Sequence, residues 1–348
     1  TPAGVSRTVK HGAVLLATGG KEHRPALYGL GEDDRVISQT ELEQRLADGG
    51  PGDGGLGGDT PHVVMIQCVG SRDAEHSYCS RVCCGQAIKN ALTLKRQVPG
   101  ARVDVLYRDI RSYGLSELNY REARRAGVNF VRYDPETNAP ELDREGDRLR
   151  ITLRDPSIRR MVALEPDLLV LSTGMVPHEN EELGTLLRVP RADNGFFIEA
   201  HAKLRPVDFA SEGLFLAGIA HAPKTIAETI SQASAAVARA ATILSKPQLR
   251  LTGVVSTVAP EHCAVCLTCV RACPYGVPQI NAEHAAEINP ALCQGCGICA
   301  AECPAKVITL GHFRDAQLLA KLGALQAPKQ ASGPTPKPAQ ESRDGGVT

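Results

Sequence analysis

The sequence predicts a parallel α/β fold followed by a compact cysteine module. Three observations carry this. Before residue 250, β-branched apolar runs that read as strands alternate with helical patterns, the arrangement of a parallel sheet with crossover helices. Three of the strands end on glycine, at "LLATGG", "LVLSTGMVP" and "LFLAGIAHAP". Eight of the twelve cysteines then fall between Cys263 and Cys303, a density that points to metal rather than disulfides.

The elements follow in order. "GAVLLATGG" (12–20) is an apolar strand meeting a glycine turn. "DGGPGDGGLGGDTP" (48–61) reads as a flexible linker at a domain boundary, because no strand feeds it and no helix follows. "HVVMIQCVGS" (62–71) is a buried strand, "CGQAIKNALTLKRQ" (84–97) a helix and "ARVDVLYRDI" (101–110) the next strand. "SELNYREARRAGVNFVRY" (116–133) is a helix stopped by Gly127 and then a strand, and "LEPDLLVLSTGMVP" (164–177) is another strand. Residues 212–246 read as a strand, a turn and a long alanine-rich helix. Its apolar stripe is Ile226, Ile230, Ala233, Val237, Ala241 and Leu244. From about Leu325 the chain is rich in Pro, Ser and Gly, the composition of a disordered tail.

At 348 residues the chain is long enough for two or three cored domains. Its 39 Lys plus Arg balance 39 Asp plus Glu, which argues against nucleic acid or an anionic membrane surface, since both require a basic excess. No run reaches the ~18 apolar residues of a membrane span. The start, "TPAGVSRTVKHG", lacks the apolar core of a secretory signal. A reducing, cytoplasmic compartment is the expectation.

"CAVCLTCVRACPYG" from Cys263 and "CQGCGICAAECPAK" from Cys293 both carry C-x2-C-x2-C-x3-C-P. In two-cluster ferredoxins of this spacing, three sulfurs come from one turn and the fourth from the other motif. One [4Fe-4S] cluster would use Cys263, Cys266, Cys269 and Cys303. The other would use Cys293, Cys296, Cys299 and Cys273, with Pro274 and Pro304 fixing the chain after each crossing ligand. A zinc pair or a disulfide scaffold rarely shows this run once, and here it occurs twice.

A second group, Cys68, Cys79, Cys83 and Cys84, lies between a buried strand and a helix. A dinucleotide-binding domain would carry its G-x-G-x-x-G there, against a pyrophosphate. Only Gly70 and Gly85 remain. The field of the helix N-terminus would favour thiolates. Spacing alone leaves a cluster, a zinc site, a redox-active pair at Cys83–Cys84 and plain core cysteines all open.

The glycine-ended strands, flanking an inserted α/β domain, fit a flavoprotein with two dinucleotide-binding domains. Candidate FAD contacts are Thr18, Gly19, Gly174, Gly218, Lys224, Thr225 and Ile226, the last three at a helix start whose amides face a flavin edge or a phosphate. No G-x-G-x-x-G precedes "LLATGG" and the chain opens on Thr1, so the expectation is that a further segment or a partner chain supplies the ADP grip. The expected layout is a partial FAD-binding domain at 1–60, an inserted α/β domain with the cysteine group at 61–180 and the rest of the FAD domain at 181–250. A two-cluster ferredoxin-like domain at 251–312 and a helix with a disordered tail at 313–348 complete it.

Together "IQCVGSRDAEHSYCSRVCCGQAIKNAL", "VLYRDIRSYG", "VNFVRY", "LLVLSTGMVP", "GLFLAGIAHAPKTIAETISQASAAVARA" and the twin motif resemble the A-type component of heterodisulfide reductase and its relatives, over roughly residues 10–312. The resemblance implies a thioredoxin-reductase-like flavin fold, FAD and several four-iron clusters. It makes Cys68, Cys79, Cys83 and Cys84 candidate ligands of a third cluster. It also implies electron transfer in a large cytoplasmic complex, with flavin-based bifurcation in some members. Implied partners are B- and C-type subunits, a hydrogenase or a dehydrogenase, with homodimerisation inside the complex. Related subunits serve quinone-interacting oxidoreductases and complexes that reduce aromatic-ring thioesters.

Other residues carry balanced readings. Lys224 is either a charge against a reduced flavin or a solvated lysine. His221 reads as polar surface. Arg108, Asp109 and Arg111 follow a strand's carboxyl end, where ligands gather but salt bridges also form. Tyr113 and Tyr120 read as packing. The catalytic residues are not identified, and no G-x-S-x-G or zincin motif occurs. The rival functions are a self-sufficient NAD(P)H flavin oxidoreductase and an inert metal-holding scaffold.

Overall fold

The computed structural model describes residues 8–48, 60–146, 148–248 and 253–326. It divides into two units, Thr1–Pro247 and Gln248–Thr348. Most of the glycine-rich linker at 48–61 and the tail beyond 326 lie outside the described residues.

The first unit is built on a five-stranded parallel sheet in the order β3 (Val36–Ser38), β10 (Leu168–Thr173), β4 (His62–Val69), β5 (Arg102–Tyr107), β6 (Asn129–Arg132). Its central strands are apolar on both faces because both faces are covered. Val63, Met65, Leu168 and Val170 pack against α1 (Gln39–Ala47), α2 (Cys83–Gln97) and α3 (Ser116–Arg125). Val64, Ile66, Leu169 and Leu171 pack against a three-stranded antiparallel meander, β7 (Glu141–Glu145), β8 (Arg148–Asp155) and β9 (Arg160–Leu164). Each such buried aliphatic contributes roughly 1.5–3 kcal/mol. Helix α1 starts on a capping box, with the Ser38 hydroxyl accepting from the Glu41 amide and the Glu41 carboxylate accepting from the Ser38 amide.

The expected boundary at residue 61 falls inside this domain, since β3 and α1 precede it and join the same sheet and core. Val36 and Ile37 are β-branched and buried, but a run of only three strand residues is too short to show a period. The strand expected over 164–177 divides at Gly174. β10 stays in the parallel sheet, and β11 (Met175–Pro177) turns away to pair antiparallel with β2 (Gly20–Glu22).

A smaller element holds the chain's other ends. β1 (Val14–Leu16) pairs parallel with β12 (Leu214–Leu216). Leu16, Leu216, Phe197 and Phe209 form a core there, joined by α4 (Glu181–Leu187) through Leu183 and Leu187. Helix α5 (Ile226–Leu244) packs on this element through Ala233, Ala236, Ala240 and Ile243. The expected apolar stripe is not the packed one. Ile226, Ile230, Val237 and Leu244 are 80%, 61%, 58% and 60% exposed. The alanines pack closest because a small side chain lets the helix axis approach the strands. Thr225 and Glu228 form the α5 capping box.

The second unit repeats one motif twice. β13 (Ser256–Val258) pairs with β16 (Ile308–Leu310), and β14 (Pro278–Ile280) with β15 (Ala286–Ile288), both antiparallel. Two short helices, α6 (Thr268–Ala272) and α7 (Ile298–Glu302), follow left-handed residues Leu267 and Gly297. α8 (Asp315–Gln326) comes last.

Candidate metal centres

In the second unit the motifs interleave as the spacing predicts. Cys263, Cys266, Cys269 and Cys303 line one cavity. Cys273, Cys293, Cys296 and Cys299 line another. The walls are apolar, with Ile280, Val307 and Ile308 round the first and Val277, Pro278 and Ile288 round the second. Hydrogen bonds to sulfur repeat the internal symmetry. The Ala286 amide, at the start of β15, donates to Cys263 Sγ (3.4 Å). The Ser256 amide, at the start of β13, donates to Cys293 Sγ (3.5 Å). Thr268 Oγ1 lies 3.4 Å from Cys266 Sγ, and buried Ser256 Oγ 3.3 Å from Cys299 Sγ. Among the described residues no three His, Cys, Asp or Glu groups close on a single ion position. The four thiols of each set line one apolar-walled chamber, the donor set and surroundings that suit a four-iron cluster.

In the first unit, Cys68 lies one residue before the end of β4, inside a register shift against β10, with a left-handed φ of 62°, a conformation that Gly70, Arg72 and Arg81 also adopt. Such non-glycine conformations cost about 1–3 kcal/mol and gather at functional sites. Tyr133 pins the bulge, donating from its hydroxyl to the Gln67 carbonyl (2.6 Å). Cys83 and Cys84 open α2, and Cys79 sits in the loop before it. The four sulfurs come together closely enough that the charges of Cys84, Cys68 and Cys79 each push the Cys83 thiol up, behind the larger effect of burial. Burial likewise lifts Cys68 against the Arg72 charge, and lifts Cys84 to about 11. The expected thiolate-favouring field of the helix end is therefore outweighed by desolvation. Free thiols here would be protonated and unreactive, which counts against a redox-active vicinal pair. Bound metal supplies the charge that makes such thiols ionise.

Arginines frame this quartet. Arg72 reaches Cys68 Sγ (4.0 Å) and pairs with Asp109. Arg108 donates to the Arg72 carbonyl (2.9 Å), and Arg111 pairs with Asp109 (3.4 Å). Tyr113 bonds Arg81 and Glu228, whereas Tyr120 packs edge-on against Phe130.

The glycine-ended strands also converge. A Cβ on Gly20 would meet Ile219 Cγ2 at 2.7 Å and the Val176 carbonyl at 2.8 Å. Gly19 has φ 76° and open space where its Cβ would be, and the Thr18 hydroxyl is buried without a partner. Both features suit the close approach of a polar ligand. Gly218, at φ 74°, opens a 3₁₀ turn over Gly218–Ala220. Gly174 instead packs on the cysteine loop, where a Cβ would lie 3.1 Å from both Ser71 Cβ and Ser80 Oγ. Thr225 caps α5, and Ile226 points its side chain to solvent.

Lys224 is not a solvated lysine. It is 8% exposed, and its Nζ donates to the carbonyls of Gly218 (2.7 Å) and Ala222 (2.8 Å). Burial, aided by the Arg81 charge, lowers its pKa to about 8. His221 is equally engaged, with Nε2 2.7 Å from Glu199 and Nδ1 2.8 Å from Gln232, whose Oε1 accepts from the Gly218 amide (2.9 Å). Sequence reading singled out none of Glu199, Gln232, Arg81 and Glu228; the last three lie inside the quoted family-like stretches, but their partners are distant in sequence.

Residues 257–304 match the 4Fe-4S dicluster domain family. The chain is 38% identical over 282 residues to an A-type iron-sulfur component of the CoB–CoM heterodisulfide reductase of Methanopyrus kandleri, covering 77% of this chain and 43% of that one. It is 36% identical over 329 residues to the A-type component of the H(2):CoB-CoM heterodisulfide,ferredoxin reductase of Methanothermobacter thermautotrophicus, covering 91% of this chain and 49% of that one. The chain thus spans about half the length of the curated relatives it matches. Among solved structures, a thioredoxin reductase of T. acidophilum aligns with a TM-score of 0.44 at 13% identity, over 67% of this chain and 66% of that one. So loose a likeness carries no weight for cofactor or activity. In sequence, the chain is similar over most of its length to A-type, iron–sulfur components of heterodisulfide reductases, and it includes a match to a 4Fe-4S dicluster domain.

Proposed function

We propose that this chain is an electron-transfer iron–sulfur flavoprotein, working as an oxidoreductase component of a heterodisulfide-reductase-like complex. The single observation that carries the reading is the assembly of all twelve cysteines into three groups of four, one of them at a turn where the fold expects a dinucleotide. Cys263, Cys266, Cys269 and Cys303 would hold one [4Fe-4S] cluster and Cys273, Cys293, Cys296 and Cys299 a second. Cys68, Cys79, Cys83 and Cys84 would hold a third. Such clusters, with FAD, supply one- and two-electron chemistry.

The protein's own residues then have defined tasks. The Ala286 and Ser256 amides donate to sulfur, and the Thr268 and Ser256 hydroxyls, which accept from the Cys266 and Cys299 thiols, would donate to those sulfurs once they are ligated; together they would tune electron affinity. The apolar walls exclude water. Thr18, Gly19, Gly218, Lys224, Thr225 and the Ile226 amide form the FAD-facing group, with Lys224 and the α5 N-terminus offering positive charge. Gly174 serves by close packing on the cysteine loop. The layout proposed is that of the sequence reading, changed so that the inserted α/β domain takes in β3 and α1. The Methanothermobacter relative is named for hydrogen, a heterodisulfide and ferredoxin together. By analogy, other subunits would handle the terminal donor and acceptor, in a cytoplasmic assembly. Among the described residues no helix is long and apolar enough to cross a membrane.

The test is anaerobic purification with iron and FAD counted per chain. About twelve irons are expected, and about eight would return Cys68, Cys79, Cys83 and Cys84 to thiols. Cys79→Ala should remove about four irons and one cluster's spectrum. An unchanged spectrum would defeat the third cluster.

A further inference from the structure

One side chain ties the cysteine loop to helix α5. Arg81 lies between Cys79 and Cys83 in a left-handed conformation, φ 62°. Its amide donates to Cys79 Sγ (3.3 Å). Its guanidinium leaves the loop, pairs with the Glu228 carboxylate and donates to the Tyr113 hydroxyl (2.7 Å). Tyr113 donates onward to Glu228 (3.2 Å). Glu228 also holds the start of α5, where Oε2 accepts from the Thr225 amide (2.8 Å) and hydroxyl (3.1 Å). Arg81 and Cys79 line one surface cavity, whereas the guanidinium that reaches a sulfur, that of Arg72, is held by Asp109, which is local to the same sheet. Arg81 alone among the described arginines joins the sulfurs to α5.

Resting on the reading that Cys68, Cys79, Cys83 and Cys84 hold a cluster, we propose that Arg81 is a positioning residue that sets the reduction potential of that centre, with Glu228 as its counter-charge. A fixed cation favours the state that has gained an electron, and a carboxylate bonded to it offsets that effect. The strained backbone and the three side-chain bonds hold the cation in place, so little reorganises when charge arrives. Electron affinity at the cysteine loop thereby depends on the start of α5, whose N-cap Lys224 directly precedes. Arg81 lowers and Glu228 raises the lysine's proton affinity, so all three charges sense one another.

The experiment is potentiometric EPR on the anaerobically purified full chain, poised with dithionite, with the centre's signal identified by its loss in Cys79→Ala. Arg81→Gln should lower the reduced fraction at fixed potential about tenfold, a fall of about 59 mV for one electron. Glu228→Gln should shift it the opposite way, and Arg81→Lys should stay near the parent. If Arg81→Gln sheds iron, the upward shift in Glu228→Gln decides, because Glu228 touches no sulfur. Shifts of the same sign, or none, with about twelve irons retained would overturn the role of Arg81 and leave the third cluster standing. About eight irons in the parent would overturn both.

Discussion

Lys224 should titrate near pH 8, far below an ordinary lysine. Burial lowers its pKa first and the Arg81 charge second, against opposing pulls from Glu228 and Glu199, taking it from an ordinary 10.5 to about 8. At about 1.4 kcal/mol per tenfold, keeping the ammonium charged costs about 3 kcal/mol. The unfolded chain then binds this proton more tightly than the folded one. Stability should therefore rise with pH between about 8 and 10.5, where only the unfolded chain is protonated. Below pH 8 both states are charged and the full penalty applies. Competitive acylation across a pH series, read by mass spectrometry, should place the Lys224 midpoint near 8. Glu228→Gln should lower the midpoint further and Arg81→Gln should raise it. Lys224→Met should remove the alkaline rise in stability while leaving the Gly218 and Ala222 carbonyls without their donor. A Lys224 midpoint at the ordinary 10.5 would refute the reasoning, as would an unchanged alkaline slope in Lys224→Met.

Three further outcomes can be checked directly. Ser256→Ala removes the hydroxyl beside Cys299 Sγ but keeps the amide bond to Cys293. A hydrogen bond of about 1 kcal/mol should lower that cluster's potential by about 40 mV in a redox titration and leave its neighbour unmoved. Gly295 has φ 65° and no room for a Cβ against the Val254 carbonyl, so Gly295→Ala should lose about four irons on purification. Asp104 is buried, and bonds from His62 and Asn129 and the Arg102 charge overcome burial to hold its carboxyl below 3.8. Its stabilisation persists above that pH and goes as pH falls through the folded value, and Asp104→Ala should cost about 3 kcal/mol in urea unfolding at pH 7.

The twin motif was fully legible, because C-x2-C-x2-C-x3-C-P fixes local geometry and the crossing ligand together. The inserted domain was legible where its strands are long. β4 and β10 bury both faces and show it as continuous apolar runs. The three-residue strand β3 shows no period and was missed. The antiparallel meander of β7 to β9 went unread, because its charged outer positions resemble loop sequence. The apolar stripe on α5 misled for a different reason. Periodicity identifies a face but not which face is covered, and alanines compete by size where residues such as Ile226 compete by hydrophobicity. The reach of Arg81 across to Glu228 spans 147 residues and leaves no sequence pattern at all.

The cysteine loop also bears on the rival reading of a self-sufficient nicotinamide enzyme. A dinucleotide site needs the crevice at the end of the first strand and free amides at the following helix. Here residues 70–82 fold back over that crevice. The Ser80 hydroxyl accepts from the Met175 amide (2.7 Å), Tyr78 donates to the Met175 carbonyl (2.9 Å) and Ser71 to the Tyr78 carbonyl (3.2 Å). The Val82 amide is turned to Ser80 (2.7 Å), and Gly174 closes on Ser71 and Ser80 with space for no larger side chain. A pyrophosphate would have to displace this loop and unmake those bonds. NADH or NADPH should therefore leave the flavin and cluster absorbance of the purified chain unchanged on the stopped-flow timescale, while dithionite bleaches it. Rapid bleaching by either nicotinamide would mean that the loop opens, and that the sulfur quartet and the dinucleotide compete for one crevice.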